Sequence, residues 1–247
     1  MQMIIFLAFI NFFSNQTILK DTKLYELRIY HCEPGKLPDL INRFKNHTMK
    51  LFEKHGMTNV GYWIPTSPDS NSLYYVLSYP DLAHRDSSWK HFGNDEEWKK
   101  VRASSEANGK IVSSVESIYM DPEDFTPAIK GSKSKPERVF ELRTYTILPG
   151  KYSDIETRFR DHTMKIFKSH GMTNIAYWKT HEKDPSATPR LIYLLAHASE
   201  RAAKKSFDDF RVDPAWVAVR DASEKNGKIV DNIKSVFLKP LEFSAYK

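Results

Sequence analysis

The stretch FKNHTMKLFEKHGMTNVGYW at residues 44–63 returns as FRDHTMKIFKSHGMTNIAYW at residues 159–178, so the chain repeats itself 115 residues further on. The likeness extends well past these segments: residues 25–64 and 140–179 are identical at more than half of their positions. Downstream, LYYVLSYPD at 73–81 matches LIYLLAHAS at 191–199, and EANGKIVSSVESIYM at 106–120 matches EKNGKIVDNIKSVFL at 224–238, now at an offset of 118. The change of offset falls in the Pro/Ser/Asp-rich segments 65–72 and 180–190, where surface loops tolerate insertions. A unit of about 100 residues occurring twice is a duplicated domain rather than a solenoid of short repeats.

Each unit reads in the same order. LYELRIY alternates and is rich in strand formers. Residues 36–55 then place Leu37, Leu40, Ile41, Phe44, Thr48, Leu51 and Phe52 on one helical face. Gly56 closes that helix as a left-handed cap. Segments 58–64 and 73–79 are two further strands. A helical stretch over 82–108 breaks near Gly93, with Asp95 able to cap its second piece, and the second copy has Asp213-Pro214 at that point. Segment 111–120 is the last strand. The order is βαββαβ, the ferredoxin-like split βαβ unit.

Such a unit covers one sheet face with helices and leaves the other bare, and the bare face must be buried. The fold class expected is therefore α+β, with two tandem ferredoxin-like repeats packed face to face as an intramolecular pseudo-dimeric α/β barrel. The boundaries expected are a leader at 1–22, a first repeat at 23–125, a linker at 126–137 and a second repeat at 138–247.

Composition narrows the class. Hydrophobic residues make up 40% and aromatics 13%, enough for a core and against global disorder. The net charge of +6 is scattered, and its one cluster, at residues 130–138, falls in the linker. No basic stripe interleaved with aromatics is present, so nucleic acid is not expected as a partner. Cys32 is the only cysteine, which excludes a disulfide framework or a cysteine-based metal site. Its counterpart is Ile147, in keeping with a small buried hydrophobe. Residues 4–13 form an apolar run of ten, too short to span a bilayer and suited to the core of a secretory signal. No Lys or Arg precedes it. The expectation is an exported protein with no membrane span in its mature form, a cytoplasmic location being the alternative.

The motifs YELRIYHCEPGK…RFKNHTMKLFEKHGMTNVGYW and FELRTYTILPGK…RFRDHTMKIFKSHGMTNIAYW resemble the NIPSNAP domain of the dimeric α/β-barrel superfamily. The resemblance covers both repeats, from residue 23 to 245. It implies kinship with animal proteins of mitochondria connected with membrane traffic and mitophagy signalling. It also implies kinship with families that include small cofactor-free monooxygenases and haem proteins.

Of nine histidines only His47/His162 and His55/His170 recur. By helical spacing His47 and His162 lie on the sheet-facing stripe, where they are either core residues or a proton acceptor. His55 and His170 precede the cap glycine, where a histidine bonds terminal carbonyls and meets the negative end of the helix. On the first strand Glu26, Arg28 and Tyr30 share a face, as do Glu141, Arg143 and Tyr145. They form either a fixed ion pair or the polar wall of a pocket. Tyr62/Tyr177 and Trp63/Trp178 point to opposite faces of the second strand, and either could stack on a planar ligand. There is no HExxH, paired-carboxylate, phosphate-loop or nucleophile-elbow motif. His47 and His55 stand two turns apart, too far to share one metal.

The expected function is binding of a small planar or acidic molecule between the first helix and the sheet of each repeat, as in a cofactor-free monooxygenase. In that reading His47/His162 serve as base, and Arg28, Tyr30, Tyr62, Trp63, Arg143, Tyr145, Tyr177 and Trp178 contact substrate. A non-catalytic interaction module is the alternative, and a haem protein with a lone axial histidine is the third. No cofactor or metal is predicted. The chain is expected to be a monomeric pseudo-dimer, with further oligomerisation left open.

Overall fold

A computed structural model describes residues 20–182, 184 and 186–247. The apolar run, and with it the expectation of export, lies outside the described residues. The first repeat consists of β1 (Leu24–Cys32), α1 (Leu37–Arg43), a π-helical turn (Phe44–Thr48), α2 (Met49–Lys54), β2 (Thr58–Pro65), β3 (Ser72–Tyr79), α3 (Leu82–Asn94), α4 (Glu96–Ser105) and β4 (Val112–Pro122). The second consists of β5 (Val139–Ile147), α5 (Tyr152–Arg158), a π-helical turn (Phe159–Thr163), α6 (Met164–Ser169), β6 (Thr173–Thr180), β7 (Leu191–His197), α7 (Glu200–Val212), α8 (Pro214–Ser223) and β8 (Val230–Pro240). No helix among the described residues is long and apolar enough to cross a membrane.

The eight strands close into one antiparallel barrel in the order β1-β3-β2-β8-β5-β7-β6-β4. The repeats join edge to edge at two seams. At one, Trp63 pairs with Pro240, Ile64 with Lys239 and Pro65 with Leu238. At the other, Met120 pairs with Thr180, Asp121 with Lys179 and Pro122 with Trp178.

Strand alternation sorts the side chains. Tyr25, Leu27 and Ile29 of β1 enter the barrel, with Val76, Phe140, Leu142, Ile192, Leu194, Trp63 and Trp178. Leu24 of β1 and Leu73, Tyr75, Leu77 and Tyr79 of β3 face the helices, against Leu40, Phe44, Leu51 and Phe52. Inside the barrel Tyr25 packs on Trp178 and Phe140 on Trp63, each pair at 5.8 Å between centroids.

Past β4 and β8 each repeat sends an arm across to the other. Glu123 N–H donates to the Tyr177 carbonyl at 3.0 Å, Tyr177 N–H donates to Thr126 Oγ1 at 2.8 Å, and Phe125 packs on Tyr177. Leu241 N–H donates to the Tyr62 carbonyl at 3.0 Å, Tyr62 N–H donates to Ser244 Oγ at 3.0 Å, and Phe243 packs on Tyr62.

The periodicity predicts one uniform helix over residues 36–55, but a π turn interrupts it at Phe44–Thr48. Met49 N–H reaches back to the Phe44 carbonyl, an i→i+5 bond, and Thr48 Oγ1 donates to the Arg43 carbonyl at 3.2 Å. The same turn recurs at Phe159–Thr163. Gly56 and Gly171 close these helices at φ +78° and +77°, where a side chain would be strained.

Each repeat alone would expose the interior face of its sheet and two strand edges. Residues 20–127 expressed alone should therefore dimerise or precipitate. Light scattering on the eluted material checks this, and a monodisperse monomer with a cooperative melt would contradict it.

Candidate functional site

The polar face of β1 is a closed ion-pair network. Glu26 is fully buried and accepts from Arg28 at 2.5 Å, Ser117 Oγ at 2.6 Å, Tyr79 Oη at 2.8 Å, Arg85 at 2.9 Å and Trp89 Nε1 at 3.2 Å. Burial pushes its carboxyl upward. The hydrogen bond from Arg85, the charge of Arg28 and the Ser117 hydroxyl outweigh that and hold it down at about 2. Arg28 also donates from Nε to Tyr75 Oη at 3.0 Å and lies 4.2 Å above the Trp89 ring. Its donors are largely committed to neighbours.

In the second repeat Glu141 accepts from Arg143 and Ser235 at 2.5 Å and from His197 at 3.1 Å. Ala203 and Phe207 stand where the first repeat has Arg85 and Trp89, and His197 replaces Tyr79. Burial raises the Glu141 carboxyl, yet His197 and Arg143 hold it below its ordinary range. Nδ1 of the buried His197 has no hydrogen-bond partner among the described residues.

The aromatic candidates divide by face. Tyr62 and Tyr177 are buried under the helices, stacked on Tyr75 and Tyr193 at 5.5 and 5.3 Å, with their hydroxyls on Asn59 and Asn174. Trp63 and Trp178 are packed inside the barrel. Of the strand residues singled out by sequence, Tyr30 and Tyr145 line cavities between helices and sheet, of about 420 and 160 Å³.

His47 and His162 do not face the sheet; both are exposed. The π turn is the reason. Its wider i→i+5 loop keeps Thr48 and Thr163 on the inward stripe, each buried to 1% exposure, and turns the histidine before each outward. There His47 lines an open groove of about 470 Å³ between α1 and α4, with Asp39, Asn42, Arg43, Lys100, Val101, Ser104, Ser105 and Asn108. His162 lines the corresponding groove of about 590 Å³ between α5 and α8, with Asp154, Thr157, Arg158, Ala218, Val219, Ala222, Ser223 and Asn226.

Arg43 and Arg158 went unremarked in the sequence. Both are buried on the helix, and each lines its outer groove and its inner cavity at once. Arg43 donates to Ser105 Oγ at 3.2 Å and Glu106 Oε1 at 3.1 Å and lies 5.4 Å from the centre of the Trp98 ring. Arg158 repeats this on Ser223, Glu224 and Trp216. The Nε of each has no hydrogen-bond partner among the described residues. Their recurrence before the phenylalanine in RFKNHT and RFRDHT was the available signal.

His55 and His170 bind the N-cap aspartates of the next helix pair rather than terminal carbonyls. Their Nε2 atoms meet Asp95 Oδ2 at 2.6 Å and Asp213 Oδ2 at 2.7 Å. Asp95 Oδ1 meanwhile caps α4 by accepting from Glu97 N–H at 2.7 Å. One carboxylate thus pins the end of α2 to the start of α4, and so fixes one wall of the groove against the other. The carboxylates Glu123, Asp124 and Glu156 approach one another, but Arg160 pairs with Asp124 and Glu156 and Tyr152 donates to Glu123.

The sequence model of NIPSNAP matches residues 25–127 and again residues 140–245. The chain belongs to the NIPSNAP family. Protein NipSnap homolog 3A of Pongo abelii is 28% identical to this NIPSNAP chain over 134 residues, 53% of this chain and 50% of that one. The NipSnap homolog of Dictyostelium discoideum is 26% identical over 143 residues, 57% of this chain and 56% of that one. The chain spans about half the length of the curated relatives it matches. Two solved structures align with this fold over nearly the whole chain. A candidate monooxygenase of Fusobacterium nucleatum aligns with a TM-score of 0.58 at 10% identity, covering 90% of this chain and 93% of its own. An anthrone oxidase-like protein aligns with a TM-score of 0.57 at 15% identity, covering 91% and 94%.

The Glu26 network makes an acid prediction for this NIPSNAP protein. A folded carboxyl at about 2, against 4.5 ordinarily, contributes stability that is fully present above about pH 4.5. That contribution, about 3 kcal/mol, is lost as pH falls toward 2. Glu26→Gln should lower stability at neutral pH, because Arg28 and Arg85 lose their counter-charge, and should flatten the slope between pH 4.5 and 2. Denaturant melts across that range check it. Equal slopes for the variant and the natural protein would show that the fold does not hold the Glu26 carboxyl below its ordinary range.

Proposed function

We propose that each repeat binds a small planar organic acid in the groove between its first and last helices, with the acidic group on Arg43 or Arg158. The observation that carries this reading is that the two grooves keep the same six residues after duplication. They are Asp39/Asp154, Arg43/Arg158, His47/His162, Val101/Val219, Ser105/Ser223 and Asn108/Asn226. Each arginine lines its groove as well as its inner cavity, and a carboxylate or enolate oxygen is the charge-assisted partner a guanidinium takes. Trp98 and Trp216 back the guanidinium from the inner cavity and hold it in place.

His47 and His162 are exposed on the same grooves, and an imidazole is the general base those grooves offer. Where the ligand is a carbon acid, the histidine accepts the proton from carbon and the electron pair moves to the carbonyl oxygen held by the arginine. Oxidation of that carbanion would require dioxygen as co-reactant. The names of the two fold neighbours agree with such chemistry, though they share only architecture with this chain. The polar walls suit an organic acid better than haem. We also infer that the repeats stand to each other as the two protomers of a dimer. The reciprocal Tyr25–Trp178 and Phe140–Trp63 contacts and the exchanged arms support this.

Calorimetric titration with benzoate tests the site. Two equivalents should bind per chain, and Arg43→Gln with Arg158→Gln should weaken binding about tenfold or more. His47→Gln with His162→Gln should leave benzoate binding largely intact while abolishing base-catalysed exchange of acidic carbon protons in a bound carbon acid. Benzoate affinity unchanged in the arginine variants would defeat the reading.

A further inference from the structure

The two grooves differ at only three of their nine lining positions. Asn42, Lys100 and Ser104 of the first correspond to Thr157, Ala218 and Ala222 of the second. All three changes run from more polar to less polar. The neighbouring solvent face changes in both directions: Glu96, Glu97 and Lys99 become Pro214, Ala215 and Val217, but Ala103 becomes Asp221 and Ala107 becomes Lys225. On the groove wall the three changes all run one way.

The electrostatics differ accordingly. In both grooves the acidic residue is already paired, Asp39 with Lys36 at 3.2 Å and Asp154 with Lys151 at 3.3 Å. In the first groove Lys100 makes no ion pair among the described residues, unlike its neighbour Lys99, which holds Glu96. That groove carries an uncommitted ammonium besides Arg43. In the second, Ala218 and Ala222 leave an apolar floor, and the cavity is larger, about 590 against about 470 Å³.

We infer that the two grooves have diverged in what they accept beyond the shared acidic group: the first takes a diacid, whose second anionic group meets Lys100, and the second takes a monoacid with an apolar body, which lies on Ala218 and Ala222. This rests on the reading of the grooves as organic-acid sites. The arginine anchors one end of either ligand, and the specificity lies one helical turn away, on α4 or α8. Lys100 acts as a point charge without fixed geometry, so it selects for charge rather than shape.

The test uses two probes built on one ring, benzene-1,4-dicarboxylate and 4-ethylbenzoate. The indole N–H resonances of Trp98 and Trp216, whose rings back Arg43 and Arg158 from the inner cavities, report each groove separately through its arginine. The dicarboxylate should titrate the Trp98 signal at roughly five-fold lower concentration than the Trp216 signal, and 4-ethylbenzoate should show the reverse order. Lys100→Ala with Ser104→Ala should remove the preference of the first groove for the dicarboxylate. Ala218→Lys with Ala222→Ser should confer it on the second. These positions are exposed on helices, so the fold should tolerate both exchanges, and unchanged melting temperatures verify it. If benzoate binds both grooves but the two probes are not distinguished, or the exchanges leave the order of titration unchanged, the divergence is wrong while the proposed function stands. If neither groove binds benzoate, both fall.

Discussion

A four-stranded sheet with helices on one face cannot stay in water with its other face bare, and the rest of this molecule follows from how that face is covered. Each repeat covers the other. The seams contribute only three register pairs apiece, so the apolar interior does most of the holding. Burying an aromatic or aliphatic side chain is worth about 1.5–3 kcal/mol, and Tyr25, Trp63, Phe140 and Trp178 are all nearly inaccessible to solvent. An interior filled by such rings leaves the helix layer to form the cavities. The grooves are therefore built between helices, and their shape depends on the contacts that lock helix to helix, above all His55 on Asp95 and His170 on Asp213.

The buried carboxylates show what duplication permits. Glu26 and Glu141 keep the same place and the same arginine on the next residue but one. The first has added Arg85 and Trp89, while the second has His197, with Ala203 and Phe207 alongside. An ion pair inside a protein must be fully satisfied or it is a liability, and the two repeats have met that demand with different partners. In both, the strand arginine is taken up by its own network, which leaves the helix arginine as the cation that lines the groove.

Much of this was legible in the sequence. The duplication, the order of strands and helices, the left-handed glycines and the aspartate caps can be read from residues that act on their immediate neighbours. Tyr62 and Trp63 fall on opposite faces, as read, because they are adjacent and lie past the bulge between Asn59 and Gly61. What could not be read depends on phase or distance. Helical spacing assumes a constant turn, and one π turn between Phe44 and Thr48 breaks that assumption, so His47 lands on the surface although its spacing points inward. Arg43 has the same origin: a charge beside Phe44 looks like solvent face until Ser105, Glu106 and Trp98 are brought over it by a helix far along the chain. Arg28 reads as a free wall residue until Glu26 and Tyr75 are seen to occupy it.

The crossed arms give the linker an unusual meaning. Residues 123–126 serve the second repeat and residues 241–244 serve the first, so each half is fastened by chain that belongs to its mate. The peptide between them is then less a fastener than a guarantee of stoichiometry. Two separate polypeptides with these arms could pair like with like as well as like with unlike, and the groove bearing Lys100 and the groove bearing Ala218 would be dealt out among three assemblies. Joined in one chain, heterotypic pairing is the only closed arrangement available within a molecule, and every molecule carries one groove of each kind.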